Sequence, residues 1–331
     1  MLRPLPPRRS SARTGRSVYR RSSPTFSIGR RSDTEVYGNR SIAYANKGDL
    51  DHAIADLSEV IRLAPDVADA RHERGRLYQL QGNYARAIAD YAEAIRLDPK
   101  FAAAYNDRGN AYRGQGTTDR AIADYNEAIR LDPNFADAYY NRGTAYFLRG
   151  NNGRAIADFG EAIRLEPNFA AAYNNRGGVY LKQGRNERAI ADFDEAIRLD
   201  PKYLVAYTNR GHVYRARGNN ARAIADFSEA IRIDPKYLLA YVDRGNAYRA
   251  RGDNERAIAD FGEAIRLDPK FAEAYYGRGL AYLYSGALDK ALADVSEASD
   301  LIRRIRTRRC GPISSPSATM SPAVCRKRAP K

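Results

Sequence analysis

The chain has 331 residues, 44% of them hydrophobic and 29% charged, with a formal net charge of +15. No apolar run approaches the roughly 20 residues that a membrane-spanning helix requires, so a membrane-embedded protein is excluded. The charge belongs to the ends: residues 1–32 hold nine Arg, residues 302–331 hold seven Arg and two Lys, neither stretch has an acid, and the span between them carries −3.

In chain order, residues 1–33 are a basic segment expected to be disordered, with Arg8, Arg9, Arg20, Arg21, Arg30 and Arg31 set among Ser and Pro. The segment lacks the apolar stretch and small-residue cleavage site of a secretory signal, which points to a cytoplasmic protein and leaves organelle targeting open. It has three readings. The Arg- and Ser-rich, acid-free composition resembles a transit peptide, although Pro4, Pro6 and Pro7 interrupt an amphipathic helix. A basic arm can also bind nucleic acid or an anionic membrane surface through its charge. The third is a solvated end without a role, such as one translated from a misplaced start or in a shifted frame.

From Asp33 onward the prolines set a period. Pro65, Pro99, Pro133, Pro167, Pro201, Pro235 and Pro269 recur every 34 residues, the signature of a repeat architecture. With each Pro at position 32, eight units follow: 34–67, 68–101, 102–135, 136–169, 170–203, 204–237, 238–271 and 272–305. The fourth shows the landmarks as Tyr139, Arg142, Gly143, Tyr146, Gly150, Ala155, Phe159, Ala162 and Pro167. Positions 4, 8 and 11 share one helical face, and the Gly at position 8 lets a second helix approach. The Gly at position 15, present from Gly48 to Gly286, allows the left-handed residue that ends a helix. Ala155, Ile156, Phe159, Ala162 and Ile163 then form the stripe of a second helix, which the acid-Pro step stops. Each unit is predicted to be a helical hairpin.

Two units differ. The first has Ser41 for Gly and Leu57 for the aromatic residue; the last has Val295 for Phe, Ser299 for Ile and Arg303 for Pro. The last helix is expected to continue through Leu301, Ile302 and Ile305 as a cap closing the array. Residues 306–331 form a second basic tail, expected to be disordered. Its Cys310 and Cys325 match no disulfide framework or zinc spacing, which makes them two unpaired thiols.

This pattern resembles the tetratricopeptide repeat, whose signature runs W-x2-L-G-x2-Y, A-x3-F, P. Here it reads Y-x2-R-G-x2-Y, A-x3-F/Y, P, over about four fifths of the chain. Tyr, or Arg71 in the second unit, stands where the family prefers Trp, and Arg stands where it prefers Leu at position 7. The resemblance implies an all-α solenoid of stacked hairpins in a right-handed superhelix. The position-7 Arg row (Arg40, Arg74, Arg108, Arg142, Arg176, Arg210, Arg244, Arg278) is matched in every unit by Asp at position 23 and Glu at position 26. A structural pairing with these carboxylates is therefore expected, each exposed pair contributing well under about 1 kcal/mol. The Tyr residues at positions 4 and 11 are expected to fill the core, and the aromatic residues at position 34, such as Phe101 and Phe169, to pack one unit on the next.

In the family, positions 2, 5, 6, 9, 12 and 13 of the first helices line a concave face that holds an extended peptide, which implies a noncatalytic scaffold for a protein or peptide partner. At position 6, Asn39 and the successive Asn141, Asn175 and Asn209 offer donor and acceptor pairs to a peptide backbone. A similar asparagine ladder lines the O-linked N-acetylglucosamine transferase, whose catalytic domain has no counterpart here. The ladder equally admits side chains that bond only to neighbours or water. Asn106 and Asn174 at position 5 and Asn110 and Asn246 at position 9 join the candidates, with Arg113, Arg215 and Arg249 at position 12 and Lys182 at position 13 as contacts for an acidic ligand. Asp69, Asp107, Asp137 and Asp243 dilute that field. The Lys and Arg set of a carboxylate clamp occurs in no unit.

No cofactor, metal or catalytic site is expected. His52, His72 and His212 fall at different positions of three units and read as substituted surface positions, and no phosphate loop, HExxH or nucleophile elbow occurs. The alternative to a scaffold is a nucleic-acid-associated protein that binds through its tails and recruits partners through its repeats. Oligomeric state is not legible in the sequence.

Overall fold

In the computed structural model the described residues run from 33 to 310, with side chains described to 304. The two basic ends, and the readings of them above, therefore lie largely outside the described residues. The described residues are α-helical with short turns and fall into two compact units that divide between Ala172 and Tyr173.

The first unit holds four complete hairpins: α1 (Asp33–Lys47) with α2 (Leu50–Leu63), α3 (Ala68–Leu80) with α4 (Tyr84–Leu97), α5 (Ala102–Gly114) with α6 (Thr118–Leu131), and α7 (Ala136–Leu148) with α8 (Asn152–Leu165). Most of α9 (Ala170–Lys182) lies in the second, with α10 (Asn186–Leu199), α11 (Leu204–Ala216), α12 (Asn220–Ile233), α13 (Leu238–Ala250), α14 (Asn254–Leu267), α15 (Ala272–Tyr284) and α16 (Leu288–Cys310). Within each unit, consecutive helices pack on one another as in a helical solenoid.

The turns follow from the repeated residues. All eight glycines at position 15 have φ between 74° and 82°, where a side chain would be strained. In the second hairpin Gly82 donates to the Gln79 carbonyl and Asn83 to the Tyr78 carbonyl, at 3.0 and 2.8 Å, closing the end of α3. The Asn83 side chain then accepts from Arg86 N, which caps α4. At the other end Asp98 accepts from Lys100 N at 2.9 Å, an Asx turn that recurs at Asp132, Asp200, Asp234 and Asp268 and explains the Asp-Pro step there; Ala64 and Glu166 stand before Pro65 and Pro167.

The core of a hairpin is one ring and its alanines. Tyr91, Tyr125, Phe159, Phe193, Phe227 and Phe261, at position 24, are fully buried. The position-8 glycine makes room for them: a Cβ on Gly109 would lie 2.7 Å from Tyr125 Cε1. The Tyr residues at positions 4 and 11 are partly buried and pack against the core as expected, Tyr112 and Tyr146 against Tyr125 and Ala145, and Tyr105 against Ala94 and Ala104. They also flank the arginine row, as where Arg108 Cζ lies 5.4 Å from the Tyr105 ring centroid. The position-34 aromatics do bridge hairpins: Phe101 packs with Ala94 and Ile95 of α4 and Ala104 of α5, and Phe169 lies 4.9 Å from the Tyr140 ring.

The arginine row pairs with position 23 in all eight hairpins, Nε and Nη2 donating to the two carboxylate oxygens, as from Arg142 to Asp158 at 2.8 and 2.7 Å. Two details differ from expectation. Beyond the first hairpin, where Arg40 is 51% accessible, the pairs are not exposed: the Asp158 side chain is 9% and the Arg142 side chain 19% accessible. The position-26 glutamates do not take part; Glu93 pairs with Arg96 three residues on in its own helix. The carboxylate holds the Arg74 and Arg108 guanidinium groups above their ordinary values, while burial pushes Asp226 and Asp260 up against the pull of their arginines.

Helix α16 continues past residue 305 to Cys310. Its outward face is apolar rather than polar, with Leu292 70% exposed.

Candidate functional site

The odd-numbered helices carry the candidate positions, and their polar side chains are largely joined from one hairpin to the next. In the first unit, Asn141 Nδ2 on α7 donates to Asn106 Oδ1 on α5 at 3.0 Å, and Asn106 Nδ2 donates to Asp107 Oδ1 at 3.1 Å. Asp107 also meets His72 Nε2 of α3 at 2.9 Å, and Glu73 beside it pairs with Arg76 at 3.0 Å. Burial opposes the charge on Asp107, but the bond and charge of His72, the charge of Arg76 and the bond from Asn106 together outweigh it and hold the carboxyl below its ordinary value. In the second unit, Asn209 Nδ2 donates to Asn174 Oδ1 at 3.0 Å, Asn174 Nδ2 to Asn175 Oδ1 at 3.2 Å, and His212 Nε2 meets Asp243 at 2.7 Å.

Position 5 or 9 of one hairpin thus faces position 6 of the next. Asn106, Asn141, Asn174 and Asn175 are buried, and the asparagine row links repeats. Each bonded amide retains a further N–H, because the NH2 group carries two donors.

His72 is buried against Tyr91 and Phe101, with ring centroids at 5.5 and 4.8 Å. This corrects its assignment as a surface position: the imidazole replaces an asparagine in the linkage between hairpins. His212 plays the same part at partial exposure. His52 is exposed, stacked on Tyr44 and bonded to Asp49.

The remaining candidates separate by exposure. Asn39, Arg215 and Lys182 are exposed, and Asn246 is partly buried. Asn110 Oδ1 accepts from the Tyr125 hydroxyl at 2.9 Å and from Arg113 Nη2 at 3.3 Å, and burial pushes the Tyr125 hydroxyl up to about 12. Arg113 Nε and Arg249 Nε, both at position 12, are buried without a hydrogen-bond partner, as is Arg71 Nε at position 4, outside the candidate positions. A donor left this way costs roughly 1–3 kcal/mol. The sequence placed both residues on this face, but not the burial that singles out their Nε atoms.

Among the described residues no group of three or more His, Cys, Asp and Glu side chains is arranged to hold a metal, and no helix is long and apolar enough to cross a membrane.

Comparison with known proteins agrees with this geometry. Family models described as TPR repeat match residues 75–116, 109–150, 211–248 and 245–286; models described as tetratricopeptide repeat match 140–203 and 34–67. No curated protein matches the sequence. Among solved structures, a tetratricopeptide repeat protein from Parabacteroides merdae is 24% identical with a TM-score of 0.57, over 78% of this chain and 99% of that one. A chain of the APC/C hetero-tetramer Cut9-Hcn1 is 18% identical with a TM-score of 0.54, over 78% of this chain and 54% of that one. YrrB, described as a TPR protein with an unusual peptide-binding site, is 24% identical with a TM-score of 0.47, over 56% and 95%. With the repeat models spread between residues 34 and 286 and the hairpins stacked accordingly, the chain belongs to the tetratricopeptide repeat family.

Proposed function

We propose that this protein is a noncatalytic scaffold that holds an extended, acid-containing peptide segment of a partner protein on the face formed by its first helices. The observation that carries the reading is the pair of desolvated donors, Arg113 Nε in one unit and Arg249 Nε in the other. Both side chains are partly exposed as a whole, so a rotation that brings Nε to the face lets a peptide carboxylate or carbonyl accept from it, which removes an existing penalty as well as forming a charge-assisted bond. The unused N–H groups of Asn141 and Asn209, with Arg215 and Lys182 beside the face, supply further contacts to backbone and side chains. Because most other groups on the face are bonded to each other, recognition concentrates at these arginines.

Selection of the full chain against a random displayed-peptide library tests this. Enrichment of Asp- and Glu-containing sequences that is lost in Arg113→Ala or Arg249→Ala supports the reading; retention of the same sequences by both variants defeats it. The charge concentrated in residues 1–32 and 302–331 supports a second reading, in which the tails bind nucleic acid with a steep salt dependence.

A further inference from the structure

Most hairpins hide their apolar surface under the next one. The position-24 ring shows how: Phe261 of α14 is fully buried, and Gly277 of α15 lies so close that a Cβ there would stand 2.5 Å from the ring. The last hairpin has no successor among the described residues, yet it keeps the apolar residues such a contact uses. Val295, at position 24, is 38% exposed, and Tyr276, Leu283, Leu288, Leu292 and Ile302 are exposed around it. Leu288, Leu292, Val295 and Ile302 follow one stripe of α16, and Tyr276 and Leu283 are exposed on α15, which packs against it. Exposed apolar patches of this kind mark interaction surfaces.

The pattern along α16 narrows the occupant. Leu288, Leu292, Val295, Ser299 and Ile302 are spaced alternately four and three residues apart, the spacing of a helix-pairing seam. The seam is about 21 Å long at a helical rise of 1.5 Å per residue. Its ends differ in charge. Asp289 lies in the first turn, whereas Arg303, Arg304, Arg306, Arg308 and Arg309 occupy the final stretch of the helix. Two such helices side by side in parallel would bring their arginines together. Antiparallel, they separate the arginines, set the acidic start of one against the basic end of the other, and oppose Leu288 to Ile302 about Val295. Among the described residues, the opposite end of the repeat series does not match this face: Glu35, Asn39 and Arg40 are exposed there beside Val36. Stacking head to tail would desolvate those polar groups against leucines.

We propose that a second copy of this chain docks on the apolar face of α15 and α16, with the two α16 helices antiparallel about a two-fold axis near Val295. A contact of this symmetry uses the same patch on both copies and closes at two.

The test is the solution mass of the full chain under reducing conditions, which removes Cys310 and Cys325 as a source of covalent pairs. The expected species is twice the 37.0 kDa of one chain, retained at high salt because the seam is apolar. Leu292→Lys should raise the dissociation constant by at least about 100-fold, since it places an unpaired cation in each half of the contact. Leu148→Lys, at another exposed leucine, should leave the mass doubled. With Cys310 and Cys325 replaced by Ser, Val295→Cys should cross-link to its own counterpart on oxidation and Leu288→Cys should not. A 37.0 kDa species at tens of micromolar, a series of larger multiples, a doubled mass that survives Leu292→Lys, or self-linking of Leu288→Cys would each overturn the proposal.

Discussion

The paired charges between the helices of each hairpin predict an asymmetry that a surface ion pair would not show. Asp158 is almost fully enclosed and receives both of its bonds from Arg142. Arg142 is more accessible, donates also to Asn126 Oδ1 at 2.8 Å, and lies 5.4 Å from the Tyr139 ring. Arg142→Ala therefore strands a buried carboxylate and should cost about 3–5 kcal/mol, whereas Asp158→Ala leaves a cation with other partners and access to water and should cost about 1–3 kcal/mol. The double variant should cost clearly less than the two singles together, because removing both charges also removes the stranded one. A repeat array need not unfold in one step, so the reading should be local: native-state hydrogen exchange of the full chain, followed in peptides from α7 and α8. Equal costs for the two single variants with no coupling between them would refute the argument and return the pairs to the weak, exposed class.

Gly211→Ala gains helix propensity of about 1 kcal/mol, but its Cβ would stand 2.7 Å from Phe227 Cε1. Overpacking of about 1–3 kcal/mol should win, so thermal unfolding should come at lower temperature, with Phe227→Leu added to Gly211→Ala recovering part of the loss. Asp107 has a folded-state pKa below its unfolded value near 3.9, so it contributes stability at neutral pH that disappears as pH falls through the folded value. Asp107→Asn should therefore lower the urea midpoint at pH 7 by more than it does near pH 3; an equal drop at both would show that the carboxylate charge plays no part.

Much of this was readable from single columns of the repeat. The proline period, the position-15 glycines and the alternation of two amphipathic stretches fixed the hairpins, because each depends on one residue type in a local backbone conformation. The pairing of Arg142 with Asp158 was readable because the matching charge recurs in the same hairpin. Its burial was not, since it depends on how closely the Gly143 and Ala155 faces let the helices approach. The asparagines were misleading for a related reason. Asn141 bonds to Asn106, 35 residues away and at a different repeat position, and a column read by itself does not show what stands opposite it in the next hairpin. His72 was missed likewise, since its partner Asp107 belongs to the following unit. The apolar end face was present in the sequence as Leu292 and Val295, but only packing shows that no hairpin among the described residues covers them.

The central claim is that the first-helix face recognises a peptide through Arg113 or Arg249. Its most direct test is the dissociation constant of one library-selected acidic peptide, measured by titration calorimetry against the full chain and the two single variants. A charge-assisted bond to an otherwise unpaired donor is worth about 1.5–3 kcal/mol, so the account predicts a loss of about 10- to 100-fold in the variant whose arginine the peptide uses, with helix content unchanged. Unchanged affinity in both variants, or binding that depends on residues 1–32 or 311–331 alone, would contradict it.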